Sequence, residues 1–486
     1  MAKTTPIANK KSKNTSPLSM TREEMLNLSN KASEILVDHN LNYASQDAWD
    51  GEFSDGLAKI FMTDPPEDGQ IIDEVLEQAI QNIFPNELNL AHPKCFGFVS
   101  SSPTWPSVIA DFLASGMNSN VCTWLVASGP SQIELTVIEW IRQWLGYPDT
   151  AGGLLTSGSS AATVEAFVAA REYADNPSRA TVYMSDQTHQ SIIRAARVIG
   201  ISAENIKKIP SDDKQTIDIN KLAETVAEDV ENGFQPVLVS ANAGTTSTGA
   251  IDSLDWIADF CESQNLWFHV DAAYGGFACI TKRGKELLKG IERADSITLD
   301  AHKWLFQPYE VGCLIVKDLQ SLESVYSMRS DVLQDTVWGK DHPNLANRGV
   351  QLSRTFRAFK IWMSVQIFGM KAFRDSIEQC FALAEKAQHC VQSSSSLQLL
   401  SPVVLSVVCF RFNPENLNLS ESEIEKINRS ILVRVFWDDH AFMSSTMVGG
   451  KFALRICIVN FTTAWEDVKE TLDAVEAFGT EALESN

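Results

Sequence analysis

The 486-residue chain has no CxxC pair, no Gly-Lys-Ser/Thr loop and no apolar run near the ~18 residues of a membrane-crossing helix. These absences leave a zinc ribbon, a thiol redox motif, a Walker-type nucleotide site and a membrane span without support. Nine cysteines are scattered along the chain, and Cys279, Cys313, Cys409 and Cys457 sit inside apolar runs. They read as reduced core thiols, so a cytoplasmic protein with no metal centre is expected. Basic charge is scarce: 40 Lys+Arg face 62 Asp+Glu, a net charge of −22. Such a surface repels nucleic acid and anionic lipid, and neither is expected as a partner. The first 19 residues carry four lysines and no acid, with no apolar core behind them. Residues 1–20 therefore read as a disordered tail and not as a secretory signal.

What is present is a globular composition, 44% apolar, long enough for a large domain and a smaller one. Thr21 with Glu24 three residues on opens an amphipathic helix to about Asn40. From Gly152, short apolar runs alternate with helical patterns: GGLLTS, ATVYMSD, PVLVSANAG, LWFHVDAA, SITLDA and VGCLIVKD. That alternation predicts an α/β fold with a mostly parallel sheet covered on both faces. After Gly369 the order becomes a long helix, the strands VVLSVVCFRF and FALRICIVNF, and a last helix, which predicts a small C-terminal α+β domain. The expected division is an N-terminal helical segment over 21–110, a large domain over 111–369 and a small domain over 370–486.

In open α/β sheets, ligands sit outside the carboxyl ends of the strands. The polar residues there are Ser157 to Ser160, Asp186, His189, Asn242 to Thr246, Asp271, and Asp300 to Lys303. A Ser-Gly-Ser-Ser turn opening a helix offers free N–H groups and the positive end of a dipole to a phosphate, although an ordinary helix cap uses the same residues. Asp271 ends an apolar strand and needs a partner, which a protonated ring nitrogen or nearby backbone would supply. Lys303 pairs an acid such as Asp300 or serves as an amine nucleophile. His189 and His302 add an imidazole that stacks or packs. Together these are a phosphate seat, an acid for a pyridine nitrogen, a flat ring and a lysine for an aldehyde, the four handles of pyridoxal 5′-phosphate.

The run HVDAAYGG (269–276), with Asp-Ala-His-Lys-Trp at 300–304, resembles the group II pyridoxal-phosphate-dependent decarboxylases. These include the aromatic-L-amino-acid, histidine and glutamate decarboxylases. The similarity extends to HPKCFGFVSS, TSGSS, SDQTH, NAGTT and LSRTFRAFKIW, and is stronger to the aromatic and bacterial members. The resemblance implies a fold-type I homodimer whose N-terminal segment packs on the partner subunit. It implies that Lys303 holds the cofactor aldehyde, Asp271 keeps the ring nitrogen protonated, and His189 stacks on the ring with Ala273 behind. Gly158, Ser159, Ser160 and His302 would seat the phosphate, with Thr246 nearby. Phe96, Phe98, Trp105 and Trp124 would wall a pocket for a flat apolar side chain, narrowed by Ser353, which is glycine in the aromatic enzymes.

The expected activity is decarboxylation of an L-amino acid, aromatic by preference, to the amine and CO₂. One departure matters. The family's loop tyrosine, thought to protonate Cα, falls on Val332, with Tyr326 six residues earlier. An oxygen-using aldehyde synthase on the same scaffold is therefore the alternative. A silent cofactor-binding relative would have lost Lys303 or Asp271, and both are present.

Overall fold

The structure is a computed structural model that describes residues 18–49, 56–172, 174, 177–327, 342–438 and 441–484. Two compact units divide at Leu88 and Asn89. In the first, helix Arg22–Leu41 is opened by the Thr21–Glu24 capping box that the sequence predicts. Neither this helix nor Ile72–Asn82 buries a residue completely.

Among its described residues the second unit holds eleven strands in two sheets. The first seven are β1 (Gly152–Thr156), β2 (Ala180–Ser185), β3 (Ile206–Ile209), β4 (Gln235–Asn242), β5 (Trp267–Asp271), β6 (Ser296–Asp300) and β7 (Gly312–Val316). They form one sheet in the order β1-β7-β6-β5-β4-β2-β3. Strands β2 to β6 pair in parallel, while β7 runs antiparallel to both β1 and β6. Strand β3, sequence IKKI, escapes the sequence pattern because it is a short edge strand with two central lysines, Lys207 paired with Asp229 and Lys208 exposed. Strands β8 (Leu397–Leu399), β9 (Val407–Phe412), β10 (Ser444–Val448) and β11 (Lys451–Cys457) make an antiparallel sheet in the order β10-β11-β9-β8. Between them runs helix Ala358–Ser393, whose break at Gly369 (φ 71°) lies where the sequence places the start of a small domain.

Strands β1, β2, β5, β6 and β7 are buried along their whole length and β4 over its last six residues, as a doubly covered sheet requires. Their carboxyl ends put Thr156, Ser185, Asn242, Asp271 and Asp300 along one edge of the sheet. A fully buried ion pair fixes β1 there. Glu134 accepts the Leu155 N–H at 2.9 Å and pairs with Arg354, which donates to the Leu155 carbonyl at 2.8 Å and to Val121 at 3.1 Å. Arg354 is thus a structural cation, and so is Arg357, bonded to Glu310 and Gln351. At the next turn Gly312 passes so close that a Cβ there would lie 2.4 Å from the Gly158 Cα. The nine cysteines are all free thiols, seven of them buried. Among the described residues no helix is long and apolar enough to cross a membrane.

Candidate active site

At the carboxyl edge of the sheet a cleft encloses about 400 Å³ not filled by atoms. Seven of the nine residues expected to bind the cofactor line it: Ser159, Ser160, His189, Thr246, Asp271, Ala273 and Lys303. The other two, Gly158 and His302, lie beside Asp300. Asn242, Gly244, Thr245, Tyr274 and Asp300 complete the lining with Ser191.

Asp271 ends β5 almost fully buried, and its Oδ1 accepts the Ala273 N–H at 3.1 Å. Burial raises its pKa above the ordinary carboxylate range, and Lys303, that N–H and His189 pull it back only in part. Lys303 stands one turn past β6, its Nζ 3.0 Å from Asp300 Oδ2. Burial works against its charge, but Asp300 and Asp271 outweigh it and raise its pKa. Burial alone would likewise raise the Asp300 pKa. Lys303, His302 and the hydrogen bonds from Lys303 and the Ser159 N–H reverse this and hold it below the usual range.

His189 caps helix Gln190–Val198 and is exposed at the cleft. Its Nδ1 accepts the Ser191 N–H at 3.3 Å, so a neutral ring carries its proton on Nε2. His302 accepts the Val311 N–H on Nδ1 at 3.2 Å, lies against the Tyr309 ring at 4.4 Å and has its pKa lowered by burial. His269, the histidine of the 269–276 run, is a core residue. Its Nδ1 bonds Ser296 at 2.8 Å, and burial lowers its pKa to about 3. Behind the cleft, the buried Asp252 accepts the Asn242 N–H at 2.7 Å and the Ile217 N–H at 2.7 Å, fixing the turn through Gly244 (φ 104°).

The expected substrate wall is placed differently. Phe96 is 1% exposed in an apolar cluster with Val408, Phe410 and Ile456, so it is a core residue of the second sheet and not a pocket wall. Phe98 packs against Phe442. Trp105 begins helix Trp105–Gly116 half-buried, and Trp124 stacks on His342 at 4.1 Å. Ser353 is exposed. None of these lines the cleft. Tyr326 donates to the Glu165 carbonyl at 3.1 Å and packs under β1, outside the cleft. Val332 lies outside the described residues. Asp300, which the sequence offered only as a partner for Lys303, proves central to the geometry.

These residues fit pyridoxal phosphate. The hydroxyl of Ser159 is buried at the opening of a 13-residue helix, lines the cleft and has no hydrogen-bond partner, as suits a donor to a phosphate oxygen. Asp271 is a buried acid with a raised pKa, which a ring N–H⁺ would bring down. Lys303 offers an amine within the same space.

Comparison with known proteins agrees. The family described as "Pyridoxal-dependent decarboxylase conserved domain" matches residues 57–413. The chain is 36% identical over 467 residues to an aromatic-L-amino-acid decarboxylase of Bacillus atrophaeus, covering 96% of this chain and 97% of that protein. It is 28% identical to a phenylacetaldehyde synthase of Arabidopsis thaliana over 86% of this chain and 88% of that one. A solved structure of Oryza sativa TDC with PLP and tryptamine superposes with a TM-score of 0.91 at 26% identity, covering 96% of this chain and 99% of that one. The chain therefore belongs to the pyridoxal-dependent decarboxylases, carboxy-lyases that work with pyridoxal 5′-phosphate.

Proposed function

We propose that the chain decarboxylates an aromatic L-amino acid to its amine and CO₂. The observation that carries this is the convergence of Lys303, Asp271 and His189 on one cleft beside the Ser159–Ser160 turn. The aromatic preference draws on relatives described as aromatic-L-amino-acid and tyrosine decarboxylases. Bound in the cleft, pyridoxal 5′-phosphate supplies an electron sink for the pair left on Cα when CO₂ departs. Lys303 would hold the cofactor through its amine, which lines the cleft. Asp271 keeps a proton on the ring nitrogen by placing a buried negative charge there. His189 and Ala273 would hold the ring. Ser159, Ser160 and the helix terminus would take the phosphate, with Gly158, His302 and Thr246 nearby.

A second reading rests on Val332. Without the loop tyrosine, the pair left on Cα would go to O₂, and with one water the products would be CO₂, an aldehyde, ammonia and hydrogen peroxide. The 28% identical phenylacetaldehyde synthase lends this weight. Incubating the purified enzyme with L-phenylalanine, L-tyrosine, L-tryptophan and L-dopa, with and without oxygen, separates the two. The main reading expects equal amine under both conditions. Aldehyde and peroxide that require oxygen would establish the second, and CO₂ from none of the four would refute the aromatic assignment.

The working unit is a homodimer in the cytoplasm. Nine free thiols support the compartment. For the dimer, Phe112, Met117, Val126, Leu352 and Ile367 leave apolar side chains at least half exposed on neighbouring segments of the second unit. Trp105, Trp124 and Ser353 lie on or beside these segments and outside their own cleft, which supports a role for them at the cleft of a second copy. Light scattering is expected to give twice the 53.7 kDa chain mass. Leu352→Asp together with Phe112→Asp should give an inactive monomer, whereas a monomeric active wild type would contradict the dimer.

A further inference from the structure

Asp300 touches two groups with different tasks. Its Oδ1 accepts the main-chain N–H of Ser159 at 2.7 Å, at the opening of helix Ser159–Arg171. Its Oδ2 lies 3.0 Å from Lys303 Nζ, and the side chain is only 5% exposed. His302 Nε2 approaches the same oxygen at 3.7 Å. The Ser159 hydroxyl beside this contact is buried, lines the cleft and is unpartnered. An anion entering to use that hydroxyl and the helix terminus meets a carboxylate already on the first main-chain donor. Two anions sharing a poorly solvated site repel, and the positive charge of Lys303 offsets only part of that.

We propose that Asp300 is a specificity-determining residue of the cofactor seat, whose negative charge rejects free inorganic dianions. A ligand is held there only if it also brings an aldehyde for Lys303 and a ring for Asp271. The proposal rests on the phosphate-seat reading above and goes beyond it. It explains a feature that a simple phosphate site would lack, a buried acid on the helix terminus where the anion is to lie. It also separates Asp300 from a structural clasp, because the geometric role survives in an amide while the charge does not.

The test uses the full-length chain freed of cofactor, with sulfate, pyridoxal 5′-phosphate and pyridoxal as the probes. Sulfate keeps its charge across neutral pH, and pyridoxal lacks the phosphate. In Asp300→Asn the amide oxygen still accepts the Ser159 N–H, but the repulsion is gone. Affinity for sulfate is expected to rise on the order of tenfold or more, and affinity for pyridoxal 5′-phosphate to rise by more than that for pyridoxal, since any effect that runs through Lys303 is common to both aldehydes. Asp300→Ser, which also removes the charge, should give the same pattern and serves if the amide variant fails to fold. Unchanged sulfate affinity in a folded variant would overturn the proposal. An equal change for both aldehydes would do so too, since the effect would then run through Lys303. If the wild type holds pyridoxal as tightly as its phosphate, the seat reading itself is at fault.

Discussion

Asp271→Asn is expected to lower the rate of CO₂ release by about three orders of magnitude, or ~4 kcal/mol of barrier, with KM little changed. The amide keeps the shape of the side chain and can still accept the Ala273 N–H. What it loses is the negative charge, at the end of a strand buried along its whole length. There, little solvent is available to replace it, and a ring nitrogen held by Asp271 would give up its proton. A neutral ring draws electrons from Cα far less well. The measurement is single-turnover CO₂ release by variant and wild type, each with its cofactor content determined by absorbance. A loss under tenfold at equal content would mean that Asp271 is only a structural acid.

Lys303→Ala should lower turnover by at least about 10³-fold, and it should do so through a different step. The variant has no amine to hold the aldehyde or to be displaced by the substrate's. It also strips Asp300 of its nearest counter-ion at 3.0 Å, leaving a buried carboxylate supported by the Ser159 N–H and by His302. Cofactor absorbance should shift to that of the free aldehyde. Dialysis should remove what the wild type retains. Circular dichroism and a thermal melt separate this from unfolding. Turnover within tenfold of the wild type would show that another amine does the work.

The contrast between these two residues and the substrate wall shows what a sequence can disclose. Asp271 was legible as a cleft residue because it closes an apolar strand, and Lys303 because it follows one within a turn, where a charge is unusual and the fold leaves few places for it to go. Strands β1, β2, β4, β5, β6 and β7 were legible for the same reason, being continuous apolar runs with small turn residues after them. Edge strand β3 was not, since IKKI has lysines where an inner strand has Val or Leu. Phe96 failed as a pocket residue because its neighbours, Cys95 and Val99, suit a core as well as a cleft, and its partners on β9 and β11 lie over 300 residues away. The bond from the Ser159 N–H to Asp300 spans 141 residues, so no local pattern announces it. Tyr326 could be counted along the chain, but only the structure places its hydroxyl on the Glu165 carbonyl.

The measurement that tests the central claim most directly is peptide mass mapping of the holoenzyme after borohydride reduction. Reduction fixes the cofactor to whichever amine holds it. The account predicts one pyridoxyl-phosphate label, on the peptide that contains Lys303, and its disappearance when substrate is present at saturation before reduction. A label on any other lysine, or an equal label with and without substrate, would contradict it.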